Sequence, residues 1–290
     1  MIVGGYRDIN VAPVIARVVE KVGYLFRAKE SSENSLAPSQ FSYRDGGCCT
    51  NALLTIQHRV LSFLDNSACK GVRLFSMDLS KTLDIVKHVL LADKLKSHVL
   101  NPYIQNWCLS FLSDWQQRVV YNNSFFGEWK DVNKGMTQES VNVFLNDLNI
   151  QLEGVDILFK YVDDTNIVIP LWKDGVDQSP EVVGNFLRWS EKNSMSCNPG
   201  KSKELTMRKN GFLEELCKIH NLPQCSELKL MGVIFQYNCK HASHVREKLV
   251  KANKCLHVVR TLRQEGYNQE ELDYLFQSIV MPNFLYDLSV

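Results

Sequence analysis

Two adjacent carboxylates, Asp163 and Asp164, stand in the middle of an otherwise apolar stretch, FKYVDDTNIVI. The flanks, Ile157-Leu158-Phe159 and Ile167-Val168-Ile169, are rich in β-branched and aromatic residues that favour strands. An unpaired ionised carboxylate is costly in such a low-dielectric setting. Asp163-Asp164-Thr165-Asn166 also has turn chemistry, because Asp and Asn tolerate unusual backbone angles and bond their own backbone. The expectation is a hairpin with acid at its tip. A solvated turn would explain the pair by itself; a distant partner for the acids would change its meaning.

With 290 residues and a hydrophobic fraction of 45%, the chain can bury a sizeable core as one large domain or two. Its longest apolar runs, such as Ile167 to Trp172, fall far short of the roughly 20 residues that cross a bilayer. The N-terminal MIVGGYRDIN lacks the basic start and apolar stretch of a secretory signal, so a cytoplasmic or nuclear location is expected. The nine cysteines contain no CxxC pair and no zinc-finger spacing with histidine, and read as reduced structural thiols. A formal charge of +1 decides nothing about polyanionic partners. Locally, however, Lys240, Arg246, Lys248, Lys251, Lys254, Arg260 and Arg263 face only Glu247 and Glu265 between Gln236 and Glu265.

Periodicity predicts helices over residues 11–29, from Thr50 as cap to Leu64, from Lys81 to Lys96, from Pro102 to Ser113, and from Ser179-Pro180 to about Asn193. GVRLFSMDLS reads as a buried strand ending at Asp78, QQRVVYNN as a strand entering a turn, CNPGKSKELTM as turn then strand, and LKLMGVIF as one strand. The C-terminal remainder reads as helix. Trp107, Trp115 and Trp189 lie at helical spacings that fit core positions better than base-stacking platforms. The order describes an α+β fold with helices packed on one sheet.

The partner of the acidic hairpin is Asp78, 85 positions upstream. If its strand lies beside the hairpin, Asp78 and Asp163 face each other across adjacent strands, about 5 Å apart at the backbone. Like charges that close stay ionised together only when a divalent cation neutralises them. Hard cations such as Mg²⁺ bind through a few carboxylates plus phosphates and water. That arrangement suits two-metal phosphoryl transfer. Because successive strand side chains alternate faces, Asp163 and Asp164 should differ: Asp163 is expected as direct ligand and Asp164 as auxiliary.

At these residues the chain resembles the reverse transcriptase domain of non-LTR, LINE-like retrotransposons. FSMDLSKTLDIVKH looks like the first catalytic block, GMTQES like the block written GxPQGS, YVDD like the [FY]xDD box, NPGKSK like the lysine-bearing block, and LKLMGVIF like the strand before the thumb. Upstream, YRDINVAPVIARVVEK and FSYRDGGCCTNAL resemble the family's first two segments. The resemblance implies a right-hand polymerase: partial fingers over 1–70, a palm over 71–235 with an inserted fingers segment at about 97–134, and a helical thumb-like segment over 236–290. It implies RNA-directed DNA polymerisation from deoxynucleoside triphosphates on an RNA template and DNA primer, with two Mg²⁺ ions or Mn²⁺ in their place. Asp78 and Asp163 would hold the metals, Asp164 would support them, and Lys201 would act as general acid near the pyrophosphate. Leu83, Gln138 and Tyr161 would line the nucleotide and template site, and Arg44 and Arg118 would contact the nucleic-acid backbone.

Three departures from the family pattern carry expectations of their own. Leu83 replaces an aromatic residue that blocks a ribose 2′-hydroxyl, so exclusion of ribonucleotides should weaken. Glu139 replaces the glycine after Gln138 and places negative charge where nucleotide phosphates approach. After Ser140 about six residues are missing, which turns the helix by well over one turn and should disturb Gln138. The chain also starts and stops within the family pattern, as a truncated or decayed copy would. The alternative reading is a catalytically inactive remnant that at most binds nucleic acid nonspecifically.

Overall fold

A computed structural model describes residues 14, 18, 22, 36–79, 85–97, 102–111, 113–114, 116–121, 124–135, 138–209 and 215–285, without the side chains of 104, 107, 111, 121 and 138–140. The chain divides into two compact units, 1–36 with 88–133, and 37–87 with 134–290.

The larger unit is built on β1, Cys69–Asp78. β1 runs antiparallel to β7, Asp164–Trp172, and on its other side to β8, Lys203–Arg208. β6, Leu158–Tyr161, joins β7 through a hairpin, and β9, Gln224–Cys225, adds in parallel to β8. The order is therefore β6-β7-β1-β8-β9, with Asp78 at the end of the central strand. Val72, Leu74, Phe75, Ile167, Val168 and Ile169 are completely buried, each worth about 2 kcal/mol of apolar burial. Gly71 is required where β1 and β8 approach, since a Cβ there would stand 2.9 Å from the Met207 carbonyl.

Helix α1, Cys49–Asp65, lies against β1, β7 and β6 through Ala52, Leu53, Ile56, Val60 and Phe63, the one-sided spacing of an amphipathic helix. Its cap is Cys48, whose sulfur accepts from the Asn51 N–H, and not Thr50 as periodicity predicted. Helix α4, Gln138–Phe144, is short and ends in a buried turn. Helix α5, Ser179–Lys192, buries Val182, Val183 and Phe186, and its Trp189 packs edge-on against Phe144. Two small pairs, β4 (Gln151–Leu152) with β5 (Val155–Asp156) and β10 (Glu227–Leu230) with β11 (Val233–Gln236), complete the strands of this unit.

LKLMGVIF is thus a hairpin and not the single strand expected. Met231 and Gly232 both take left-handed backbone, φ 43° and 95°, the geometry of a two-residue type I′ turn. Beyond it run α6 (Ala242–Gln264), α7 (Gln269–Leu275), a π-helical turn at Phe276–Val280 and α8 (Met281–Leu285).

The smaller unit holds α2 (His88–Ser97), α3 (Pro102–Phe111) and the hairpin of β2 (Gln116–Tyr121) with β3 (Ser124–Asp131). The helix predicted from Lys81 begins at His88. Residues 81–84 lie outside the described ones, and Lys87 instead pairs with Lys134 where the chain leaves and rejoins the larger unit. Of the segment 11–29, Val14, Val18 and Val22 are described and are helical and exposed.

Two charged side chains are placed inside the larger unit that periodicity reads as ordinary strand positions. Lys160 is fully buried and its ammonium donates to the Leu145 and Leu148 carbonyls, at 2.8 and 2.9 Å, just past the C-terminal end of α4. Arg73 is fully buried on β1, 3.2 Å from Asp177 and 3.5 Å from the fully buried Glu204.

Candidate active site

Adjacent antiparallel strands bring the distant acids together. The register pairs Asp78 with Asp164, so the cross-strand neighbour of Asp78 is the second aspartate of the box. Asp163 stands one residue further, in the two-residue turn between Tyr161 and Asp164. This corrects the expectation that Asp163 faces Asp78 directly. It also corrects the extent of the turn: Thr165 and Asn166 are buried strand residues, held by pairing with β1 and β6 in spite of their local turn chemistry.

The turn is strained. Val162 has φ 54°, a left-handed backbone that disfavours a β-branched residue by about 1–3 kcal/mol. Left-handed backbone at the first turn residue alone is the type II′ pattern, where glycine is usual.

Partial burial, followed by repulsion from Asp163 and Asp78, pushes the Asp164 carboxyl up to about 6. All three acids are therefore within electrostatic reach of one another. The sign for stability follows. An acid raised from 3.8 to about 6 on folding destabilises the fold above pH 6, and this penalty fades as pH falls toward 3.8. Asp164→Asn is expected to stabilise the protein at pH 7.5 by about 1 kcal/mol, after discounting for solvent screening. The gain should vanish near pH 3.5. Thermal melts of both proteins across that range check it, and a gain independent of pH would contradict it.

Lys201 completes the site from the far side. Asn198 N–H donates to the Asp78 carbonyl at 2.8 Å, and the Asp78 N–H donates to the hydroxyl of the buried Ser202 at 3.0 Å. Asn198 also turns the loop, since the Gly200 N–H donates to its side-chain oxygen and the Ser202 N–H to its carbonyl. The loop thereby carries the exposed Lys201 ammonium to 3.9 Å from the Asp78 carboxylate.

Tyr161 is half-buried beside the N-terminus of α1; a hydrogen bond to Cys49 and burial push its phenol up to about 12, so it stays protonated. Arg44 donates to the Gln40 and Ala37 carbonyls, at 3.3 and 3.5 Å, within its own loop. Arg118, in the smaller unit, lays its guanidinium over the Phe125 and Trp129 rings, 3.4 and 4.4 Å from their centres. Gln138 starts α4, but its side chain lies outside the described ones, as do Glu139's and the whole of Leu83.

The donor set of three carboxylates with no thiolate or imidazole fits a hard divalent cation. Among the described residues no group of three or more His, Cys, Asp or Glu side chains stands close enough to hold an ion alone. Mg²⁺ bound through one or two carboxylates and completed by substrate phosphates needs no such group.

An antiparallel sheet with a central strand ending in Asp78 and a neighbouring Asp163-Asp164 hairpin defines a nucleotide-polymerising class of site. The chain belongs to the family described as reverse transcriptase (RNA-dependent DNA polymerase), whose model matches residues 3–235. A comparison with curated protein sequences gave no match. Among solved structures, the chain is similar to apo telomerase from Candida tropicalis, with TM-score 0.49 and 11% identity over 77% of this chain and 39% of that one. It is likewise similar to telomerase of that organism in complex with a TWJ fragment of telomeric RNA, with TM-score 0.47 and 12% identity over 79% and 37%. The chain thus spans about two fifths of the length of the solved structures it matches.

Proposed function

We propose that this chain is the polymerase portion of a non-LTR, LINE-like retrotransposon reverse transcriptase, extending a DNA primer on an RNA template. The observation that carries this reading is the pairing of Asp78 with Asp164 on adjacent strands, with Asp163 at the hairpin tip. Residues 71–235 would be the palm, about 97–134 an inserted part of the fingers, and 236–290 a thumb-like segment, with 1–70 as partial fingers.

Asp78 and Asp163 would hold divalent cations, Mg²⁺ or Mn²⁺, with Asp164 as auxiliary. A carboxyl raised to about 6 binds a proton more readily, which suits the lesser role. The bound cations supply phosphate neutralisation and a more acidic primer hydroxyl. The chain's own residues do the rest. As the primer oxygen bonds to the α-phosphorus and the bond to pyrophosphate breaks, Lys201 donates its ammonium proton to the leaving oxygen. Tyr161 bounds the nucleotide site beside the acids. Phosphate contacts by α6 would grip the duplex. Of its cations, Lys251 is already paired with Glu247, which Lys229 and Lys251 together hold at about 2.

Extension of oligo(dT) on poly(rA) with dTTP and Mg²⁺ tests the reading. Incorporation that Asp163→Asn abolishes supports it. Absence of incorporation in both proteins, with salt-sensitive RNA binding retained, would instead establish the inactive remnant.

A further inference from the structure

The acidic turn is held by a residue outside the acid-bearing strands. Residues 39–42 run alongside β6: the Phe41 N–H donates to the Lys160 carbonyl at 2.9 Å, and the Lys160 N–H to that of Ser39 at 2.8 Å. This places Ser42 under the hairpin tip. The Val162 N–H donates to the Ser42 hydroxyl oxygen at 3.0 Å. That hydroxyl is nearly fully buried and directs its own proton to Asn142 Oδ1 at 2.9 Å or Gln40 Oε1 at 3.1 Å. The Asn142 amide in turn donates to the Ser42 carbonyl at 2.7 Å, which fixes Ser42 from both ends.

We infer that Ser42 is a positioning residue for polymerisation: its hydroxyl, oriented by Asn142 of α4, keeps Val162 in left-handed backbone and so aims Asp163 and Asp164. A strained conformation persists only where its surroundings over-determine it. The one hydrogen bond from the strained peptide N–H ends on Ser42, in a buried site where an unmade bond is expensive. The same contact explains how a shortened helix α4 can still be coupled to the acids: Asn142 reaches the turn through Ser42, while Lys160 ties the end of that helix to β6. Val162 is the residue at which this control should be readable, because glycine in its place would hold the same angle without strain.

This inference rests on the proposed polymerase function, and its test separates the two. Ser42→Ala is expected to lower kcat for dTTP incorporation about 10- to 100-fold, with KM and primer–template affinity nearly unchanged, since misaimed groups cost rate and not binding. In a Val162→Gly background the same replacement should cost no more than about threefold, because the two sites act through one turn. Amide hydrogen exchange of Val162 should quicken about tenfold or more in Ser42→Ala, with β1 exchange unchanged. An active wild type whose kcat is unmoved by Ser42→Ala, or equal losses in both backgrounds, would overturn the inference and leave the polymerase reading standing. A wild type without incorporation fails that reading instead. Exchange then decides the anchor: faster Val162 exchange supports it, and unchanged exchange overturns it.

Discussion

Asp78→Asn is expected to reduce nucleotide incorporation by about 10³-fold or more, about 4 kcal/mol of barrier, while leaving the melting temperature close to that of the wild type. Asp78 ends the central strand of the sheet, pinned on one side by pairing with β7 and on the other by the loop of Asn198 and Ser202. Both of the latter contacts use its backbone, so an amide at the side chain changes the charge and not the geometry. What disappears is one of the negative charges that a divalent cation and the phosphates must be held by, an interaction strongest in the transition state. The ion pair to Lys201, at 3.9 Å and solvent-facing, is weak, and its loss should be nearly neutral for stability. Single-nucleotide incorporation kinetics with a melt of each variant check both halves. Residual activity within about tenfold of wild type would show that Asp78 carries no cation in the reaction.

The second large effect concerns stability. Arg73→Met is expected to destabilise the fold by about 3–5 kcal/mol, because it strands a buried carboxylate. Glu204 has no solvent exposure and keeps only the Thr206 hydroxyl, at 2.9 Å, and long contacts from Gln224 once the guanidinium is gone. Asp177, the other partner, is partly solvated and tolerates the loss better. A total stability of about 5–15 kcal/mol makes this a large fraction of the whole. The pairing itself is imperfect, since Arg73 Nε and Nη1 make no hydrogen bond. Arg73→Met with Glu204→Leu should therefore recover most of the loss, the outcome usual when both members of a buried pair become apolar. Denaturant unfolding of the two single variants and the double gives the coupling. Additive losses would mean that the two charges do not compensate each other.

The parts of the fold legible in the sequence are those written in local pattern. β1 ends at Asp78 as its apolar run ends, α1 and α5 follow their apolar spacing, and the YVDD and NPGKSK stretches meet at the acids as their chemistry implied. The errors are equally physical. Thr165 and Asn166 have turn propensity, but burial between two partner strands overrides it. Met231 was read within a strand because a left-handed methionine has no sequence signal, and the Gly232 after it was the available hint. Lys160, Arg73 and Ser42 were overlooked for one shared reason. A charged or hydroxyl side chain on a strand carries no mark of whether it points to water or to buried partners more than a hundred positions away, as Ser42 does toward Asn142.

By itself the sequence determined which residues carry the chemistry, since residue type and ordered spacing limit what an acid pair, a lysine loop and a basic helix can do. Tertiary structure alone decided which aspartate lies opposite Asp78, what holds Val162 in its strained turn and which charges are buried. Those outcomes depend on strand register and long-range hydrogen bonds, where a slip of one residue reverses the face of every side chain.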